Sequence, residues 1–327
     1  MTGLTTLHAV VLLAVAAAWG AAAGALLPRA VYRFSVALPE RGEGAGEQPD
    51  AEASEAEAEG ASPEAEFGDP PVPGWHDSCP QGHPLHGWIG PARCRTCAED
   101  ARAGSDADAD ADADAGTDAD AGTDADAGTE SSADADARTA VPRRGIPYGL
   151  GAPLLAAVTA PLCAVLALAT GARPELAVWL LLAPVGVLLA VVDLRVRRLP
   201  DPLTLPFAAA ALALLGVAAL LPEHAGDWTR ALVASLTLSA AYLVLHLINP
   251  GGMGFGDVKL ALGAGAVLGW YGWATVMLGT FAGFLLGALY GGALLAARKA
   301  DRKTAIPFGP FLIAGAFVGL LFGAYAA

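Results

Sequence analysis

The sequence predicts an all-α polytopic membrane protein with about eight transmembrane helices and a long, largely disordered first loop. Three observations predict it. Of the 327 residues, 54% are hydrophobic, more than an ordinary soluble domain carries. Windows of the length a bilayer requires, about 20 mostly apolar residues, recur along the chain with almost no charge. Lys and Arg fall in alternate loops instead of being spread evenly.

The expected spans are 7–27, 149–170, 175–193, 202–221, 228–248, 257–270, 272–297 and 306–326. The first offers small residues for signal cleavage in AWGAAAGA. However, no positive charge precedes it and Arg29 and Arg33 follow it, so a retained anchor with an external amino terminus fits better. The second contains Cys163, read as a packing residue, and the third ends on Asp193. The fourth begins after Leu-Pro-Asp, where Asp201 caps or turns the chain. The fifth holds His246, read as a neutral, hydrogen-bonded core histidine. The sixth is short and rich in glycine. Before the seventh, WYGW at 270–273 reads as an interfacial aromatic belt, and IPFGPF at 306–311 starts the eighth with two prolines. Arg29, Arg33, Arg143 and Arg144 flank the first loop; Arg195, Arg197 and Arg198 follow the third span. Lys259 opens the sixth, and Arg298, Lys299, Arg302 and Lys303 join the last two. All of these fall on one side, which the positive-inside rule makes the cytoplasm. Arg195, Arg197 and Arg198 read as topological anchors, and Lys259 as a side chain that snorkels toward lipid phosphates.

Three regions follow: the first helix (1–28), a cytoplasmic loop (29–148), and a seven-helix body (149–327). Between Glu40 and Arg138 there are 26 acidic and 5 basic residues, leaving 14 basic and 7 acidic residues elsewhere. The net charge of −14 is therefore a property of one insert. With no basic face, the chain has no footprint for nucleic acid; its partner by composition is the lipid bilayer. Runs such as SDADADADADAG bury too little apolar surface to offset chain entropy and should be disordered. Between them lies a compact Cys/His island at 75–97. Cys79 and His83 precede a C-x-x-C knuckle, Cys94 and Cys97, and such a pair of pairs can close a tetrahedral zinc site. His76 and His86 are rival ligands, and redox-sensitive thiols or a degenerate remnant are the alternative reading. A cytoplasmic location disfavours a disulfide.

Asp193 and Asp257 lie at the same membrane face, where ionisable groups are costly and usually functional. Two close carboxyls share a proton, so one can activate a water while the other protonates a carbonyl or leaving amine. Gly254 and Gly256 bracket Phe255 before Asp257, and residues without a Cβ let another backbone, such as an extended peptide, come close.

Four stretches in order, DLRVRRLPDPLTLP from Asp193, MGFGDVKLALGAGAVLGW from Met253, GTFAGFLLGALYGG from Gly279 and IPFGPFLIAGAFVGL from Ile306, resemble the type IV prepilin peptidases. The resemblance implies a membrane aspartic endopeptidase with Asp193 and Asp257 as its catalytic pair. It would cleave basic leaders from prepilins or pseudopilins at the cytoplasmic face of a bacterial inner membrane, with no cofactor for that step. Family members also pair a first-loop Cys tetrad with amino-terminal methylation by S-adenosylmethionine. Here ALLPRAVYRF resembles the family's Tyr-Arg segment at Tyr32 and Arg33, but Pro28 stands where asparagine is usual and His83 replaces a cysteine. Those departures weaken the methyltransferase expectation. They leave the peptidase expectation intact, because the aspartates lie in the other half. The competing reading is a transporter using paired aspartates for protons or cations, although the broken-helix repeat such proteins show is not visible here.

Overall fold

A computed structural model describes residues 2–36, 75–101, 103, 146–250, 252–297 and 307–327. The acidic low-complexity runs lie outside the described residues. The helices are α1 (Thr2–Leu26), α2 (Pro28–Phe34), α3 (Ala152–Thr170), α4 (Glu175–Val196) and α5 (Asp201–Ala218), followed by α6 (Trp228–Ile248), α7 (Phe255–Tyr271), α8 (Trp273–Ala296) and α9 (Gly309–Ala326). Two short strands, β1 (Arg93–Cys94) and β2 (Ile146–Pro147), pair antiparallel with Cys94 opposite Ile146. The chain is an all-α polytopic membrane protein: among the described residues, seven helices are long and apolar enough to cross a bilayer.

The sixth expected span is α7, and it has only 17 residues. Its shortness goes with its position. Twelve of the seventeen are buried, against four of the 24 residues of α8. Helices α5, α6, α8 and α9 all pack on α7, so it is the core of the bundle. Its glycines permit that enclosure. A Cβ on Gly265 would stand 2.7 Å from the Ala234 carbonyl of α6, so only glycine admits that backbone contact. Helix α1 docks on α3 in the same manner, with Gly20 against the Thr159 carbonyl and Gly24 against that of Leu155. Outward-facing side chains are large and apolar; Leu168, Phe281 and Leu289 are 69%, 65% and 62% exposed, as lipid contact requires.

One end of the bundle is closed by a buried acid. Glu175, at the start of α4, is fully buried, and its Oε1 accepts the Ala225 N–H at 3.3 Å and the Tyr271 hydroxyl at 3.4 Å. Trp179 donates to the same Tyr271 hydroxyl at 3.2 Å. The expected aromatic belt therefore divides in two: Trp273 is 45% exposed, but Trp270 is completely buried in the core, because α7 reaches its full depth there. From Glu175 to Asp193, α4 rises about 27 Å at 1.5 Å per residue. The two acids of α4 thus mark opposite ends of the bundle.

Gly265→Ala is expected to destabilise the protein by about 1–3 kcal/mol, the range for overpacking a tight interface. Gly292→Ala, with nothing within 4 Å of its added carbon, should be neutral or gain about 0.5–1 kcal/mol of helix propensity. Thermal unfolding of both variants in detergent checks the contrast.

Candidate functional site

Helix α4 stops just past Asp193. Arg197 takes a left-handed conformation (φ 52°) and its N–H caps the Asp193 carbonyl at 2.8 Å. Pro200 then turns the chain into α5. Helix α7 starts from the other direction. Gly254 is its N-cap and Asp257 lies in its first turn, where the helix dipole favours an anion. Both aspartates are nearly inaccessible, at 4% and 5% exposure, yet both line one pocket of about 410 Å³. The fold thus brings the two expected carboxyls, 64 positions apart in sequence, to a single cavity.

The rest of the pocket wall combines two arginines and the glycine-rich turn with apolar side chains such as Leu199, Met253 and Phe308. Gly309, the first residue of α9, donates its N–H to Asp193 Oδ2 at 3.0 Å. A Cβ there would sit 2.6 Å from that same oxygen, so the position tolerates only glycine while Asp193 keeps its rotamer. Pro307 and Phe308 complete this side. IPFGPF is thus more than a shaped helix start: it holds one carboxyl of the pair. The signal available in the sequence was a glycine between prolines, at the point where a helix offers free N–H groups.

The two glycines before Asp257 differ. Gly254 has open space in front of it, with only Asp257 Oδ2 at 3.6 Å and the Gly256 nitrogen at 3.9 Å from an added carbon. At Gly256 an added carbon would meet Leu199 Cβ at 2.8 Å, so its bare face serves internal packing. Arg197 and Arg198 line the pocket as well, which gives it a cationic lip beside two acids. Lys259 does not snorkel. It pairs with Asp201 Oδ1 at 2.6 Å and lies 4.9 Å from the centre of the Phe255 ring, pinning the first turn of α7 to the start of α5. His246 is half-buried at the end of α6, not in the core. Its Nδ1–H donates to the Met253 carbonyl at 2.8 Å, which braces the glycine-rich turn. Tyr242, missed in the sequence, is buried in the cluster that contains Val258 and Leu260, behind that turn.

The Cys/His island forms a second site. Cys79 N donates to the His83 carbonyl at 2.9 Å and Gly82 N to the Cys79 carbonyl at 2.9 Å, folding the first pair into a knuckle. Cys94 comes from β1 and Cys97 from the helical turn after it. The ligand atoms of Cys79, His83, Cys94 and Cys97 all lie within 4.8 Å of one another. Zinc bonds of about 2.3 Å to sulfur and about 2.0–2.1 Å to nitrogen, at tetrahedral angles, require donor–donor edges of about 3.6–3.8 Å. Here Cys79 Sγ–Cys97 Sγ is 3.6 Å, Cys79 Sγ–His83 Nδ1 is 3.6 Å, Cys94 Sγ–His83 Nδ1 is 3.8 Å and His83 Nδ1–Cys97 Sγ is 3.2 Å. The cluster therefore fits a tetrahedral ion, and no disulfide forms in it. Burial opposes ionisation of Cys94, but the Cys97 backbone and the hydrogen bonds of Cys97, Cys79 and His83 outweigh it and bring the thiol down to about 7. Burial and the neighbouring thiols push Cys97 up to about 12. The rival histidines are not in this group: the clustered ligand atoms come from Cys79, His83, Cys94 and Cys97, and His76 Nε2 faces the Ser35 carbonyl at 3.2 Å. The other ring nitrogen of His83 lies 3.2 Å from Asp100 Oδ2, the carboxylate partner that commonly orients a ligating imidazole.

Helix α2 carries the island. Arg33 is buried, donates to the Leu85 carbonyl and covers the Trp88 ring at 4.6 Å. The Tyr32 hydroxyl donates to the Ser78 carbonyl at 3.2 Å while its ring stacks on His76 at 4.8 Å. These contacts explain the Tyr-Arg pair of the first loop, and Arg29 joins them.

By class, this is a helical membrane bundle with a buried carboxyl pair in a pocket at one end and a Cys/His cluster whose geometry could hold a metal ion. Residues 180–292, which contain both aspartates, match the type IV leader peptidase family. The chain is 35% identical over 173 residues to a prepilin leader peptidase/N-methyltransferase of Aeromonas salmonicida (strain A449), covering 52% of this chain and 58% of that protein. Proteins of the same name from Aeromonas hydrophila (37% over 152 residues, 44% and 49%) and Pseudomonas aeruginosa (33% over 143 residues, 41% and 46%) are similar. The chain thus matches about half the length of these relatives. No solved structure matches it.

The purified protein is expected to hold one tightly bound metal ion per chain, measured by elemental analysis. Cys97→Ser should lose it, and Asp100→Asn should retain it with affinity weakened by about 10–100-fold.

Proposed function

We propose that this chain is a membrane-embedded aspartic endopeptidase that removes the basic leader from type IV prepilins or pseudopilins. The observation that carries the reading is the pair Asp193 and Asp257, nearly inaccessible and lining one pocket. The family match over 180–292 and the printed names of the relatives supply the substrate class. Arg195, Arg197, Arg198 and Lys259 cluster at the dyad end, which by the positive-inside rule puts it at the cytoplasmic face of a bacterial inner membrane.

In this reading the dyad shares one proton. The charged carboxylate takes a proton from water as the oxygen attacks the scissile carbonyl carbon, while the neutral carboxyl protonates the carbonyl oxygen. The carboxyl that took the water's proton then gives it to the leaving amine as the C–N bond breaks, while the other carboxylate takes a proton from a hydroxyl of the tetrahedral intermediate, so the dyad again holds one proton. Gly309 holds Asp193 in place through the backbone N–H, and the open face of Gly254 leaves room for an extended peptide beside Asp257.

The island is a structural zinc site in this proposal, with Cys79, His83, Cys94 and Cys97 as ligands and Asp100 orienting the imidazole. A second reading extends the relatives' N-methyltransferase name to this chain, with S-adenosylmethionine as donor and the new amino terminus as acceptor. It is favoured by the clamp of half-buried Tyr32 and buried Arg33 that fixes the island to α2. Mass analysis of prepilin incubated with the enzyme, with and without S-adenosylmethionine, separates the two activities: the product is heavier by one methyl group only where the second is present.

Asp193→Asn and Asp257→Asn are each expected to lower prepilin cleavage by at least about 1,000-fold with thermal unfolding unchanged. Retained processing by either purified variant removes the dyad from the mechanism. Gly309→Ala, which touches no substrate, should lower kcat by about 10–100-fold by displacing the Asp193 carboxyl. Single-turnover cleavage at saturating enzyme measures that loss directly.

A further inference from the structure

A second cavity, about 520 Å³ and walled almost entirely by carbon, lies between α4 and α7, the two helices that carry the aspartates. It is bounded as well by α3, α5 and α9. On α4 its wall runs from Trp179 to Leu194, fifteen residues or about 22 Å of helix rise, most of the hydrocarbon depth of a bilayer. At its lower end Leu194 follows Asp193, and Pro310 follows the Gly309 whose N–H holds that carboxyl. Val158 and Leu194 are 43% and 54% exposed there, so the cleft opens sideways to lipid beside the polar pocket.

One wall residue has no internal reason to be small. At Gly20, Gly24, Gly265 and Gly309 an added carbon would stand 2.6–2.7 Å from a neighbouring atom. Gly186, buried in the middle of the cleft wall, would meet only Ile313 Cγ2 at 3.8 Å, an ordinary contact. Its missing side chain leaves a shallow floor of the kind against which another helix docks closely in lipid.

We propose that this cleft seats one face of the substrate's apolar helix, delivering the peptide bond at that helix's end to Asp193 and Asp257. The proposal rests on the peptidase reading and adds where the membrane segment of the substrate binds. Continuity decides the occupant. A chain whose scissile bond lies in the polar pocket has its next residues beside Leu194 and Pro310, and the apolar walls lead straight from there into the bilayer.

The test uses the full chain with Asp257→Asn in liposomes containing a model prepilin, so that bound substrate stays uncut. A benzophenone amino acid is placed at Val318, in the cleft wall, or at Phe281, which faces lipid on α8. Illumination is expected to join Val318, but not Phe281, to the apolar segment of the prepilin. In the active enzyme, Gly186→Leu should lower kcat/KM by about ten-fold, chiefly through KM, while Gly186→Ala changes it by less than about two-fold. Equal adducts at the two positions, or adducts with lipid alone at Val318, overturn the docking site while wild-type cleavage of the same prepilin leaves the peptidase reading standing. Failure of the wild type to cleave it overturns both.

Discussion

The constraint on which the bundle depends is the cost of keeping two carboxyls away from bulk water at the edge of an apolar body. An unpaired buried acid is expensive, so each needs a placement that backbone dipoles support. Asp193 meets the requirement with the N–H of Gly309, and Asp257 with its position in the first turn of α7. Neither solution is local to its own helix. The first needs α9 to begin where α4 ends; the second needs a turn that delivers α7 to the same depth. The order and spacing of the later helices follow from those two requirements.

Helix α7 shows how far the requirement reaches. To bring Asp257 to the pocket, α7 is enclosed by four other helices, and that enclosure is possible because Gly263, Gly265 and Gly269 present no side chain to α5 and α6. The same helix has 17 residues, against 18 to 25 in the other long bundle helices. Around its first turn, Lys259–Asp201 and His246–Met253 fix the chain on either side of Asp257. The exposed Lys259–Asp201 ion pair contributes little to stability, about 0–1 kcal/mol; with the His246 hydrogen bond to the Met253 carbonyl its effect is geometric, limiting how the turn can move.

Much of this was legible in the sequence, because hydropathy and lone charges are local signals. The spans could be read from hydropathy and the Cys/His cluster from its spacing, while the pairing of Asp193 with Asp257 came from the family resemblance. What escaped were relations between distant segments. Nothing near Gly309 announces that its N–H points at a residue 116 positions earlier. Lys259 was misread because its partner, Asp201, belongs to another helix. Gly256 looked like a place for substrate, yet Leu199 fills the space beside it. The rival histidines could be set aside only once His76 was stacked on Tyr32 and the clustered ligand atoms proved to be those of Cys79, His83, Cys94 and Cys97. Pairwise contacts across the fold decide each case, and a linear pattern does not encode them.

The division into an amino-terminal island and a carboxy-terminal dyad is less complete in three dimensions than along the chain. Helix α2, which grips the island through Arg29, Tyr32 and Arg33, also packs on α4: Ala30 and Val31 share a buried cluster with Val187, Leu188 and Val192. Val192 is the residue before Asp193, and both are nearly inaccessible. Close-packed interiors transmit displacement instead of absorbing it. The Cys/His island and the end of α4 that carries Asp193 are thus joined through one packed cluster. The aspartates supply the chemistry in the proposed mechanism. The island lies on α2, and α2 packs on the helix that carries one of them.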